Sequence, residues 1–112
     1  MTREYLMSLG IDYDDAMNRF MGNSELFENF LKSFKDDTSY AQLVKALEAK
    51  NVDAAFNAAH SLKGLSGNLS MKDLYNHVCV LVEELRAKDM SNVDHSLPPI
   101  TASYNKLIEG LK

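Results

Sequence analysis

Along most of this 112-residue chain, apolar side chains return every three or four positions, the period of a helix with one buried face. Ala16, Met17 and Phe20 begin the pattern, with Asp12 placed to cap a short helix and Gly22-Asn23 to end it. Leu26, Phe27, Phe30, Leu31 and Phe34 form a second one-sided stripe, opened by Ser24 and interrupted at Asp36-Asp37-Thr38. Ser39 followed by Gln42 is a capping-box pattern and predicts a third helix through Leu43, Val44 and Leu47 to about Lys50. Asn51-Val52-Asp53 reads as a turn, with Asp53 as the N-cap of a fourth helix. Ser70 and Asp73 predict the start of a fifth, running to about Lys88 with Leu74, Val78, Leu81, Val82 and Leu85 inward. Asp89 to Leu97 is polar and turn-like. After the proline pair Pro98-Pro99, a last helix over 97–111 carries Ile100, Tyr104, Leu107, Ile108 and Leu111 on one side.

No segment alternates apolar and polar residues in the manner of a half-buried strand. Short connections favour antiparallel neighbours. The expected fold is all-α: an up-and-down antiparallel four-helix bundle with a short additional N-terminal helix, forming one domain over 1–112. A chain of this length buries roughly two-thirds of its unfolded surface, enough for a core without staples.

Charge and cysteine content narrow the function. The net charge of -4 argues against general nucleic-acid binding, and one cysteine, Cys79, fits a reducing compartment rather than a disulfide framework. No apolar run approaches the ~20 residues needed to cross a bilayer, and Met1-Thr2-Arg3-Glu4-Tyr5 lacks a signal-peptide stretch. A cytoplasmic domain with no membrane or nucleic-acid partner is expected.

The fourth helix carries the candidate chemistry. Its inward stripe is Val52, Ala55, Ala59, Leu62, Ser66 and Leu69. At 100° per residue, His60 lies about 120° from the centre of that stripe and should reach solvent. Phe56, Lys63, Gly64 and Gly67 share its surface, at i-4, i+3, i+4 and i+7. Two glycines within a helix cost roughly 1 kcal/mol each relative to alanine, and an exposed Phe56 gains little from burial. Glycines that clear a flat approach to an imidazole, with an ammonium one turn away, suit a nucleophile accepting a phosphoryl group. The same residues also fit a surface histidine beside an unrelated lysine, with the glycines permitting close helix packing.

The run His60-Ser61-Leu62-Lys63-Gly64-Leu65-Ser66-Gly67-Asn68-Leu69 resembles the signature of histidine-containing phosphotransfer (HPt) domains: His, Lys at +3, Gly at +4, a small residue at +7 and an apolar one at +9. Gly10 to Phe27 is similar to the amino-terminal helices of bacterial members, and Leu47 to Asp53 to the approach to their active helix. The likeness covers about residues 8–88. It implies a four-helix bundle whose histidine takes a phosphoryl group from one receiver-domain aspartate and passes it to another. The implied roles are His60 as phosphoacceptor, Lys63 as charge stabiliser, and Gly64 and Gly67 as small residues permitting docking. Helical geometry adds Phe56 to the face that would meet a partner, and Asn57 is expected in the partner-binding set with it. The implied partners are response-regulator receivers or a hybrid histidine kinase. The resemblance implies a monomeric phosphocarrier with no autokinase activity and no cofactor of its own, Mg2+ belonging to the receiver. The competing reading is a helical module that binds a receiver or kinase without phosphotransfer.

Two positions depart from the family pattern. Ser70 stands at +10, where glycine is usual, and is expected to serve as an N-cap. Val82 stands near +22, where several members place a glutamine that hydrogen-bonds the active imidazole.

Other constellations carry less. His77 and Cys79 diverge on one helix and His95 is distant, so no metal-ligand spacing appears. Lys63-Gly64 lacks the rest of a P-loop. Tyr13-Asp14-Asp15 suits a helix dipole, and Glu83, Glu84, Arg86 and Lys88 read as a solvated face. Met17 and Met71 are expected in the core.

Overall fold

A computed structural model describes residues 1–112 as seven α-helices and one 3-10 turn, with no strand: α1 (Arg3–Ser8), α2 (Tyr13–Arg19), α3 (Ser24–Ser33), the turn Phe34–Asp36, α4 (Ser39–Glu48), α5 (Val52–Asn68), α6 (Lys72–Arg86) and α7 (Val93–Gly110). The expected all-α class is present. Helices α4 to α7 form the bundle. The antiparallel register of α5 and α6 is fixed by three contacts: Gly67 against Tyr75, Phe56 under Arg86, and Asp53 with Lys88 at 2.9 Å. The α7 helix closes the bundle. Its Tyr104 stacks on Tyr40 of α4, and its Ser96 hydroxyl donates to Glu84 of α6 at 2.5 Å. Phe27, Leu31, Phe34, Leu43, Leu62, Leu74, Leu81 and Ile100 fill the centre, and no buried side-chain polar atom lacks a hydrogen bond. No helix is long and apolar enough to cross a membrane.

Several helix ends differ from expectation, for local reasons. The first helix is missing from the periodic reading because its six residues bury only Leu6; Thr2 caps it by accepting the Tyr5 N–H at 3.1 Å. Tyr5 then donates to the Gly110 carbonyl at 2.6 Å, seating α1 on the end of α7. Asp12 caps α2 as expected, at 3.0 Å from the Asp15 N–H. Asn23 rather than Ser24 caps α3, and Asn51 rather than Asp53 caps α5. Asparagine caps as well as serine or aspartate, so the earlier residue wins once the preceding turn places it at the right backbone angles. The Ser39–Gln42 box does not form. Ser39 is already helical, and Gln42 donates instead to Thr38 Oγ1 at 2.9 Å. The last helix begins at Val93, so Pro98 and Pro99 lie within it. They leave the Asp94 and His95 carbonyls without helical donors, but both residues are exposed and water can serve.

Four helices end on a non-glycine residue in the left-handed region: Met21 (φ 54°), Lys50 (φ 54°), Ser70 (φ 55°) and Lys88 (φ 57°). Each is closed by a Schellman pair of backbone bonds, as in Ser70 N–H to Gly67 carbonyl (3.2 Å) and Met71 N–H to Ser66 carbonyl (2.9 Å). This corrects the reading of Ser70, which closes α5 instead of capping α6. The position explains why a glycine is at home there. The expected Ser70–Asp73 box is absent, and Met71 occupies the N-cap without a side-chain bond. Met21 is 93% exposed, so its side chain contributes no packing to offset the backbone cost. Met21→Gly is therefore expected to raise stability by about 0.5–1 kcal/mol in urea denaturation; an unchanged midpoint would contradict the strain argument.

Candidate functional site

The 17-residue helix α5 carries the site because its two faces differ so sharply. Ala55, Ala59, Leu62 and Ser66 are fully buried, while Asn57, His60, Ser61 and Gly64 are exposed. His60 is exposed, as its angle on the helix predicts. Its imidazole takes part in no ion pair, and its one aromatic neighbour is Phe56, with ring centroids 5.8 Å apart.

Phe56 is not the fully exposed ring that the sequence suggests. It is half-buried against the core, and the Arg86 guanidinium lies over it at 5.1 Å. Arg86 is held in turn by Glu83 at 3.2 Å. A cation over an aromatic face is worth about 0.5–1 kcal/mol at an exposed site. The ring beside His60 is thereby fixed, while its free edge still faces the surface.

The two glycines have different reasons. At Gly64 a Cβ would meet nothing within 4 Å, so nothing within the chain itself requires glycine. At Gly67 a Cβ would lie 3.1 Å from the Tyr75 ring. Its absence lets α5 and α6 approach, so Gly67 has a packing reason inside the molecule. Asn57 is exposed one turn before His60 and is not part of the groove described next.

His60, Lys63, Gly64, Gly67 and Asn68 form one side of an open groove of about 330 Å³. Tyr75 and Lys72 of α6 and Arg19 of α2 complete it, and no carboxylate lines it. Lys63 takes part in none of the seven ion pairs of the molecule, so its ammonium is free to meet an incoming anion. Arg19 and Lys72 are tied to Asp15, whose Oδ2 lies 2.9 Å from Arg19 Nε and 3.8 Å from Lys72 Nζ. The same oxygen accepts from the Ser70 hydroxyl at 2.7 Å. These groups, Ser70 foremost and then Arg19, hold the Asp15 carboxyl below the usual carboxylate range. Their contribution is therefore complete above the ordinary carboxylate value and is lost as pH falls through the lowered folded-state value.

Local periodicity missed Arg19, Lys72 and Tyr75 as groove residues, and Asp15 as the carboxylate that pairs with two of them. Asn68, eight residues beyond His60 on the same helix, could have been found by angle alone. Val82 is fully buried, so it supplies no polar partner to the imidazole. His77 and His95 are exposed and lie outside the groove, and Cys79 is half-buried. No three His, Cys, Asp or Glu side chains come together in a way that could hold a metal ion.

Comparison with protein families matches residues 25–110 to the Hpt domain. That match reaches through α7, which the sequence resemblance left uncovered. No curated protein and no solved structure gives a significant match. With 86 of its 112 residues inside the match, and with an all-helical bundle presenting an exposed histidine, the chain belongs to the Hpt domain family of phosphotransfer modules in two-component systems.

Proposed function

We propose that this chain carries a phosphoryl group on His60 between the aspartates of receiver domains. The observation that carries the proposal is the exposed imidazole set in a groove with three cations and no carboxylate lining. A neutral imidazole keeps one ring nitrogen with a free electron pair. That nitrogen attacks phosphorus in line. The P–N bond forms as the phosphoaspartate P–O bond breaks, and the receiver carboxylate leaves with the bonding electrons. The proton on the other ring nitrogen passes to solvent. Transfer onward reverses these steps on a second receiver. Mg2+ acts from the receiver side, and the carrier supplies position and charge.

Lys63 offsets charge on the phosphoryl oxygens. Gly64 leaves room for the receiver surface, with Phe56, Asn57 and Gly67 beside it. The protein acts as a monomeric cytoplasmic carrier over its whole length, without a cofactor of its own and without autokinase activity. Its partners are response-regulator receivers or a hybrid kinase. Lys63 is half-buried but screened by solvent, so its share is modest. Lys63→Ala should slow transfer about fivefold to tenfold, corresponding to about 1–1.4 kcal/mol, with helix content unchanged. An unchanged rate and phosphohistidine lifetime would remove Lys63 from the mechanism.

The buried Val82 favours the second reading, a module that binds receivers without transfer, because the imidazole lacks a polar buttress. Incubation with a phosphorylated receiver separates the two. The carrier reading expects an acid-labile, base-stable label on this protein. Receiver binding with no such label would favour the binding module.

A further inference from the structure

We propose that Arg19 and Lys72 act with Lys63 as a phosphoryl-binding set in the His60 groove, and that Asp15 sets its strength. The inference rests on the carrier reading and extends it to two helices outside the one bearing the histidine. Arg19 closes α2, Lys72 opens α6, and both line the groove with His60.

The hydrogen-bond pattern leaves Arg19 prepared for a second partner. Only its Nε is bound to Asp15. A guanidinium has five N–H donors, so four remain, arranged in the planar fork that matches phosphate oxygens. At 3.8 Å, Lys72 is at the outer limit of an ion pair with the same carboxylate and keeps most of its donors. Asp15 is in turn anchored by Ser70, the left-handed residue that closes the His60 helix. The carboxylate therefore acts as a strut, linking the position of Arg19 to the end of α5. Three cations against this one carboxylate leave an excess of two positive charges at the groove. A phosphoryl group brings about -1.5 to -2 at pH 7, so the two are matched.

The test uses the whole protein with phosphoramidate, a small donor that needs no receiver docking. The donor P–N bond breaks and ammonia leaves with its electrons. The His60 ring nitrogen forms the new P–N bond, and the proton from the other ring nitrogen goes to water. Labelling rate and phosphohistidine lifetime are followed by 31P NMR, at low salt and at high salt.

Arg19→Gln combined with Lys72→Gln is expected to slow labelling and shorten the lifetime about threefold to tenfold. Asp15→Asn is expected to act in the opposite direction, since it removes the one carboxylate that competes for these cations. Both changes should shrink at high salt. Arg19→Lys, which keeps the charge and loses the fork, should fall between the wild type and Arg19→Gln. A merely structural role would move Asp15→Asn and the double variant in the same direction. That outcome, or wild-type rates in the double variant, or Arg19→Lys no faster than Arg19→Gln, would overturn the inference and leave the carrier reading standing. Failure of the wild type to take label from both phosphoramidate and a phosphorylated receiver would remove the carrier reading, and this inference with it.

Discussion

His60→Gln should lose all transferable label while the bundle stays as stable as the wild type. The two halves of that expectation come from different observations. His60 is exposed, takes part in no ion pair and touches one neighbouring ring, so its removal costs the fold little. Surface substitutions of this kind usually fall within about ±0.5 kcal/mol. Glutamine is also a better helix former than histidine. The label should vanish instead of moving to another histidine. His77 and His95 are also exposed but stand outside the cationic groove that would hold the phosphoryl oxygens. The measurement is mass spectrometry of the labelled protein beside a urea melt. Label persisting on His77 or His95 at the wild-type level would show that exposure alone suffices and that the groove is irrelevant.

Gly64→Gln should stabilise the fold and impair phosphotransfer. Replacing glycine inside a helix by a straight-chain residue gains about 0.5–1 kcal/mol, provided the side chain meets nothing. At Gly64 it meets nothing within 4 Å. Yet the new side chain rises one turn from the imidazole, on the face a receiver would approach under the proposed function. A clash at the centre of a docking surface costs about 1–3 kcal/mol, or roughly fivefold to 150-fold in affinity. Stability and function thus move in opposite directions, the pattern expected where a residue is kept for a partner's sake. Calorimetry of receiver binding and a urea melt on the same preparation give both numbers. Unchanged affinity would mean that the receiver docks elsewhere. Gly67 is the useful contrast, because a Cβ there presses on Tyr75 and any loss of transfer would be mixed with a change in packing.

What could be read from the sequence divides along a physical line. Within one helix, angles are set by the 3.6-residue period, so the exposure of His60 and the burial of Ala55, Ala59, Leu62 and Ser66 followed directly. The groove did not follow, because Arg19 reaches it only through the packing of α2 beside the α5–α6 corner. That placement is held by bonds such as Asp12 N–H to the Ser70 carbonyl at 2.8 Å. Local signals also failed where neighbours compete. Asn23 took the cap from Ser24, and Asn51 took it from Asp53, which was left to pair with Lys88. Ser70 read as a helix start because serine caps well; its actual place is a left-handed stop, visible only once the Schellman bonds are known. Asp15 looked like a first-turn acid suited to the helix dipole. It is one, and it also tethers Arg19 and Lys72 beside the histidine.

The central claim is that the phosphoryl group is both taken and given. A two-receiver relay tests it most directly: one receiver is phosphorylated, a second is added unlabelled with Mg2+, and label on the second is measured with and without this protein. Label should reach the second receiver only when wild-type protein is present, passing through an acid-labile intermediate on it, and His60→Gln should leave the label where it began. Relay supported equally by His60→Gln, or label that enters the protein and never leaves for any receiver, would contradict it.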